Sequence, residues 1–298
     1  MMETPAQRTA VLSIGRIYSD LIFTGLSGLP VLGREIFANG LTISAGGGAY
    51  ITAAHLQHLG RETALVARLG VDPLSAQTGA EIKATGVNLR FVECSVEAGP
   101  QLTAVTVLGD ERAFLTKRAG SARPSTLEAA VAWSHARHLH IAEYATLHEI
   151  PDLIALAKEQ GLTVSLDPSW DADLIYDENL LATCRGVDLF LPNREEAEAI
   201  TGLSDPQEAL AQLTQHFPHV ALKDGARGAW LATEGEMLHV PAQPVNVVDT
   251  TGAGDAFNAG FIDAWLSAAD AGACLAAGIT AGSLSVQAAG GASVLCFS

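Results

Sequence analysis

The chain has 298 residues, 48% of them hydrophobic, enough to bury a substantial core and too apolar for general disorder. Its 33 Asp and Glu against 17 Lys and Arg give a formal charge of -16, which sets the protein's own field against a nucleic-acid partner. An anionic ligand must be drawn locally, by a few Arg or Lys, backbone N–H groups, helix N-termini or a metal, and the lysines are only Lys83, Lys117, Lys158 and Lys223.

Met1 to Thr9 carries Glu3 and Pro5 and lacks the basic start and long apolar core of a signal peptide. No stretch approaches a membrane span, so the expectation is a cytoplasmic protein without a membrane partner. Ala10 to Ile14 is the first apolar run of strand length, and Ala49 to Leu59 the first amphipathic helix, followed by the apolar run Ala64 to Val66 and a helix from Pro73 to Thr85. Further strands are expected at Leu102 to Leu108, His138 to Ala142, Leu162 to Asp167, Val187 to Leu191, Val220 to Lys223 and Ala229 to Ala232. Helices are expected at Ile150 to Gln160, Arg194 to Thr201 and Pro206 to Phe217. This alternation predicts an α/β fold, a doubly wound and mainly parallel sheet with helices on both faces, as one domain over residues 1–298.

Two regions break the alternation, roughly 18–43, rich in Gly and turn signals, and roughly 88–118, with alternating apolar positions. Both read as β-rich insertions that build a small lid across the mouth of the sheet, where ligands of open α/β folds bind. Cys94, Cys184, Cys274 and Cys296 form no C-x-x-C pair, and the nine His are scattered, with His55, His58, His135, His138 and His140 reading as helix-surface or strand residues. There is no G-x-x-x-x-G-K-[ST], H-E-x-x-H or G-x-S-x-G.

The strongest chemical signal is Asp249-Thr250-Thr251-Gly252-Ala253-Gly254-Asp255, immediately before an apolar helical pattern ending near Ser267. Gly252 and Gly254 allow close backbone approach, and the following helix turns its free N–H groups toward an anion. Asp255 in that first turn would repel a bound phosphate unless it faces an attacking hydroxyl and accepts its proton while the amides stabilise the transferring group. Taken alone, a G-x-G-D segment is equally a tight helix entry with a carboxylate favoured by the dipole. A second cluster, Gly46-Gly47-Gly48, opens the Ala49 helix but lacks the G-x-G-x-x-G order of a dinucleotide loop.

The run from Asp249 to Gly260 resembles the C-terminal signature of the PfkB, or ribokinase-like, carbohydrate kinases, and four further segments match that family in order from Gly15 to about Ala292. The resemblance implies an ATP-dependent transfer of phosphate to a sugar hydroxyl, with Asp255 as catalytic base and Gly252, Ala253 and Gly254 as the anion hole. It implies substrate contacts from Asp20, from Gly46, Gly47 and Gly48, and from Glu143 at the end of the His138 strand. Many relatives carry Asn after the glycine pair where this chain reads Ala49-Tyr50-Ile51-Thr52. Asn193 and Glu196 resemble the family's N-x-x-E motif, which positions hydrated Mg2+ and nucleotide phosphates; the same pair also reads as a helix capping box. Lys223, Gly225 and Gly228 resemble the nucleotide-binding turn, and a plain hairpin explains that segment too. Asp249 and the stretch 288–292 resemble a monovalent-cation region, implying a role for K+. A nucleoside acceptor remains open, with Tyr18, Phe23, Phe37, Phe91 or Phe114 as a stacking wall. So do a noncatalytic sensor of the same fold and a homodimer through the lid edge.

Overall fold

The computed structural model describes residues 8–109, 111–287, 290–292 and 295. Met1 to Gln7, Ala288, Ala289 and Cys296, on which some of these expectations fall, lie outside the described residues. The strands are β1 (Ala10–Ile14), β2 (Tyr18–Thr24), β3 (Gly40–Gly46), β4 (Thr63–Leu69), β5 (Asn88–Cys94), β6 (Leu102–Leu108), β7 (Glu111–Lys117), β8 (Ala136–Ile141), β9 (Thr163–Leu166), β10 (Leu189–Phe190), β11 (His219–Lys223), β12 (Ala229–Thr233) and β13 (Glu236–Val240). They form a large sheet in the order β13-β12-β11-β10-β9-β8-β1-β4-β5 and a small one in the order β3-β2-β6-β7.

The large sheet is parallel from β5 to β11, and β12 and β13 add antiparallel strands at one edge. Its interior strand β1, between β8 and β4, is buried along its whole length, as expected of a strand covered on both faces. Side-chain alternation divides the core: Leu12, Ile14, Leu139, Ile141 and Phe190 pack on one side, while Val11, Leu189, Phe257 and Phe261 pack on the other. The chain leaves β1 outward to β4 and β5, then returns past it to β8. The switch point therefore lies beside β1, and a crevice opens at the carboxyl ends of the strands there.

Local sequence fixes the ends of several helices. Asp72 caps the helix Pro73–Ala84 by accepting from Leu74 N and Ser75 N, with Pro73 in the first turn. Asn193 and Glu196 form a full capping box on the helix Arg194–Thr201, which stops at left-handed Gly202. Left-handed Gly252, φ 74°, turns the chain into the helix Ala253–Leu266, and a Cβ there would lie 2.6 Å from the Cα of Gly291.

The lid differs from expectation in its limits. The second insertion contributes only β6 and β7, because Asn88–Cys94 pairs in parallel with β4 as the edge of the main sheet. Its half-buried alternation is what an edge strand shares with a lid strand, so periodicity alone cannot separate them. The first insertion runs on to Gly46. The expected helix Ile150 to Gln160 is the shorter Leu153–Glu159, and an unexpected helix, Tyr144–Glu149, ends just before Ile150-Pro151. β13 went unexpected because it is mostly exposed and carries no apolar pattern. His55 is buried rather than on the helix surface, with its Nε2 2.8 Å from the Gly291 carbonyl. Cys184 and Cys274 are buried free thiols, whereas Cys94 is exposed.

Candidate active site

A cleft of about 830 Å³ opens at the strand ends and gathers residues from the segments that follow β1, β3, β8, β9, β10, β11 and β13. Tyr18 and Gly48 come from the segments after β1 and β3, Glu143 from the end of β8, Asp167 from β9, Asn193 and Glu196 from β10, and Lys223, Gly225 and Gly228 from the β11–β12 turn. Ala253, Gly254 and Asp255 enter from the N-terminus of the helix Ala253–Leu266. Asp20, Gly46, Gly47, Asp249 and Gly252 are not among the residues that line the cleft.

Glycine at three of these positions is a spatial demand. A Cβ on Gly48 would lie 2.7 Å from Asp255 Oδ1, and one on Gly46 would lie 2.0 Å from Asp20 Oδ2. Gly47 has φ 103°, and a Cβ there would meet the Arg16 carbonyl at 2.3 Å. Gly46 and Gly48 thus bring the backbone against two carboxylates, while Gly47 makes the turn between them. Gly228 has φ 103° and would place a Cβ 2.0 Å from the Val240 carbonyl, so it is required by packing against β13 whatever it does for a ligand. Lys223 and Ala229 pair across β11 and β12, so the turn is also the plain hairpin considered for it.

The electrostatic centre is a group of acids around Lys223. Lys223 Nζ lies 2.5 Å from Asp167 Oδ2, which also accepts from Asn258 Nδ2 at 2.6 Å. Burial works against the ammonium charge, but Asp167, then Glu196 and Asp255, hold Lys223 above the ordinary lysine range. Burial first, and Asp167 second, push Asp255 up to about 7, with Lys223 opposing and Glu143 adding. Glu196 is pushed up to about 7 by burial and then by Asp167. Asp255 and Glu196 both feel the opposing charge of this one cation, Lys223. The Glu196 carboxylate accepts from Asn193 N at 2.7 Å and Asn193 Oδ1 accepts from Glu196 N at 2.9 Å, so capping and cleft placement hold together.

On the far side of Asp255, burial and then Glu81 and Asp249 push Asp20 up to about 7. Burial and then Glu143 push the Tyr18 hydroxyl up to about 12, against a hydrogen bond with Arg118. Glu143 Oε1 accepts from Arg16 N at 3.2 Å and from Thr146 Oγ1 at 2.8 Å. Asp249 is fully engaged: Oδ1 meets Thr251 N at 2.7 Å and Arg112 Nη1 at 2.8 Å, and Oδ2 meets Gly290 N at 2.9 Å. Burial opposes its charge, yet these donors keep Asp249 below the usual carboxylate range. Arg112 belongs to lid strand β7 and also donates to Thr250 Oγ1 and Thr251 Oγ1, tying the lid to the Asp249 loop.

The sequence reading missed Asp167, Asn258, Arg112 and Arg118. Asp167 had a usable signal, since it ends an apolar strand as Glu143 follows one; Asn258 lies three residues beyond Asp255, on the same helix face. Of the aromatics considered as a stacking wall, Tyr18 lines the cleft, Phe91 is buried against Trp133, and Phe37 and Phe114 are exposed. Among the described residues no group of three or more His, Cys, Asp or Glu is disposed to hold a metal ion.

The family described as pfkB family carbohydrate kinase matches residues 9–295. The chain is similar to a fructokinase of Klebsiella pneumoniae, 29% identical over 73% of this chain and 75% of the relative. It is 30% identical to an ATP-dependent ribose-1-phosphate kinase of Halopiger xanaduensis, over 87% of this chain and 86% of the relative. The structure of Arabidopsis thaliana ribokinase complexed with ribose and ATP superposes with TM-score 0.81 at 25% identity, covering 98% of this chain and all (100%) of that one. The large parallel sheet, the separate four-stranded lid and a family match over nearly the whole sequence agree: this chain belongs to the pfkB family of carbohydrate kinases.

Proposed function

We propose that this kinase transfers the γ-phosphate of ATP to a sugar hydroxyl, with Asp255 as the general base. The observation that carries the reading is the placement of Asp255: its carboxyl, raised to about 7, faces the cleft from the first turn of a helix whose N–H groups around Gly252 to Gly254 face the same space. A carboxylate of that basicity accepts a hydroxyl proton near neutral pH, and the neighbouring amides offset charge on the group in transfer. Asp20, Glu143 and the 46–48 backbone hold the acceptor. A carboxylate only accepts hydrogen bonds, which suits it to a polyol that offers O–H groups.

The nucleotide lies on the other side of Asp255, against the turn Lys223 to Gly228 and the apolar wall of Val245, Val247 and Ile279. Lys223 and the helix N-terminus supply the attraction that a chain of charge -16 does not supply overall. Magnesium fits the acid-rich floor: Glu196 and Asn193 would hold it through water, and it would neutralise phosphate charge. For potassium, Asp249 fits poorly because Arg112 already meets its charge; equal rates in potassium and in an inert counterion are expected, and no step is assigned to it. A cytoplasmic setting goes with this reading, because its reactants are ATP and Mg2+. No helix among the described residues is long and apolar enough to cross a membrane. The lid edges β3 and β7 expose Leu41, Phe114 and Leu115, which supports a homodimer through the lid, and a monomeric mass at working concentration would reject it.

The relatives' names include fructose and ribose 1-phosphate kinases, so family membership leaves the acceptor's charge open. The test of the reaction is ADP release from MgATP across sugars, sugar acids, polyols and nucleosides, beside a folded Asp255→Asn protein. Acceptor-dependent release lost in the variant supports the reading; release unchanged by the substitution moves the base elsewhere. No release with any acceptor leaves a noncatalytic sensor.

A further inference from the structure

The acceptor end of the cleft holds more negative charge than positive, and its cations are already spent. Tyr18, Glu143 and Asp255 line it, and Asp20 lies directly behind Gly46. The charges that act on Asp20 are those of Glu81 and Asp249, both acids. Those that act on Tyr18 are Glu143, Arg118 and Arg16. Arg16 is buried and saturated. Its Nη2 meets Glu149 Oε1 and Oε2 at 2.7 and 2.8 Å and the Gly120 carbonyl at 2.8 Å, and its Nη1 meets Gln101 Oε1 at 2.7 Å and the Ala119 carbonyl at 3.1 Å. Among the described residues whose charges act on Tyr18 and Asp20, Arg118, bonded to the Tyr18 hydroxyl, is the cation whose side chain is still partly exposed and so able to turn toward a ligand. Its Nη2 donates to Asp171 Oδ2 at 2.7 Å.

Asp171 is the more covered partner of that pair, with its side chain 18% exposed against 42% for Arg118. It sits four residues beyond Asp167, on the segment that brings Ser169 to the cleft wall. A carboxylate so placed does two things to an incoming anion. It occupies the guanidinium face that would bind a carboxylate or phosphate in the paired geometry arginine favours, and it adds a like charge. Uncharged hydroxyls meet neither obstacle and find acceptors in Asp20 and Glu143.

Building on the kinase reading and its assignment of this end to the acceptor, we propose that Asp171, by holding Arg118, selects an uncharged polyhydroxy acceptor and rejects sugar acids and sugar phosphates. Asp171 is a specificity residue acting through Arg118; discrimination comes from the built-in repulsion as much as from fit.

The test compares uncharged sugars with their acid and phosphate counterparts, ribose with ribonate and with both ribose 1-phosphate and ribose 5-phosphate, and glucose with gluconate, at low ionic strength. ADP release gives kcat/KM. Tryptophan fluorescence, for which half-exposed Trp170 beside Asp171 is the reporter, gives binding without turnover. The expected result is a neutral sugar favoured over its anionic counterpart, and in Asp171→Asn a ratio of anionic to neutral kcat/KM raised about tenfold or more, through a lower KM for the anion. The gain should vanish in Asp171→Asn with Arg118→Met, which a merely structural role for Asp171 would not produce; Asp171→Ser serves if the Asn protein does not fold. Turnover of an acid or phosphate equal to or better than that of the neutral sugar overturns the proposal and leaves the kinase standing. So does a folded variant with an unchanged ratio. Should no acceptor be turned over, the kinase reading fails and binding decides this one: preferential binding of a neutral sugar supports it, and tighter anion binding or no sugar binding overturns it.

Discussion

Replacing Asp255 by Asn should cost the protein its activity and make it more stable, and both effects follow from the same desolvated carboxyl. Burial and Asp167 raise that group from 3.8 to about 7. At about 1.4 kcal/mol per pH unit the whole shift corresponds to roughly 4 kcal/mol, a ceiling that water in the open cleft and local relaxation reduce to roughly 2 kcal/mol. The sign is that of an acid whose folded value is raised. Between about pH 4 and pH 7 the folded protein keeps a proton that the unfolded chain has released, so stability falls as pH rises through that window. Asn carries no charge and escapes this loss. The variant should therefore melt several degrees above the parent at pH 8, with a smaller gain at pH 5. Turnover should fall about 100-fold or more, a rise of about 2.7 kcal/mol in the barrier. Thermal unfolding at the two pH values and ADP release with a working acceptor measure the two halves. A variant no more stable than the parent at pH 8 would refute the desolvation argument, and a loss of turnover below about tenfold would refute the role as base.

Activity should rise with pH through about 7 as Asp255 ionises, and the pH profile of kcat/KM checks this. Lys223→Met removes the cation that opposes the raised values of Asp255 and Glu196, so this limb should move to higher pH; a profile that stays in place would deny the coupling. Gly46→Ala puts a Cβ 2.0 Å from Asp20 Oδ2 and should raise KM for the acceptor about tenfold while sparing KM for ATP. Gly48→Ala, with its Cβ 2.7 Å from Asp255 Oδ1, should lower kcat instead, and steady-state kinetics on the two proteins separate the effects. Arg112→Gln breaks the ion pair to Asp249 and the bonds to Thr250 and Thr251, and should speed proteolysis within the lid.

The sheet was legible because its strands are short apolar runs between amphipathic segments, and burial on both faces leaves that mark in composition. What the sequence could not separate was β5 from the lid, since an edge strand of a parallel sheet and a strand of a small lid show the same alternation. Among the site residues, glycines and acids at strand ends were visible because backbone turns demand them. Arg112 and Arg118 were not, because their meaning lies in partners 137 and 53 positions away, |249 − 112| and |171 − 118|, and an arginine on an alternating strand or just past its end reads as a solvated charge.

Asp167 explains why the acids at this site tolerate one another. Four carboxyls, those of Asp167, Glu196, Asp255 and Glu143, face a cleft that offers one ammonium, and isolated buried charges at that ratio would strongly destabilise the fold. The arrangement gives Lys223 to Asp167, backs Asp167 with Asn258, and leaves Glu196 and Asp255 to hold protons near neutrality until something arrives to draw them off. A magnesium–nucleotide complex brings cation to the Glu196 side, and an acceptor hydroxyl gives the Asp255 side a partner for its charge. The high basicity that makes Asp255 a useful acceptor of protons is thus a property of the waiting site. It depends on Asp167 claiming the lysine: with Asp167→Asn the ammonium is freed toward Asp255, which should then ionise at lower pH and act as a weaker base. A pH–rate limb shifted downward, together with a lower plateau, is the expected signature; an unshifted limb would mean that desolvation alone sets the value.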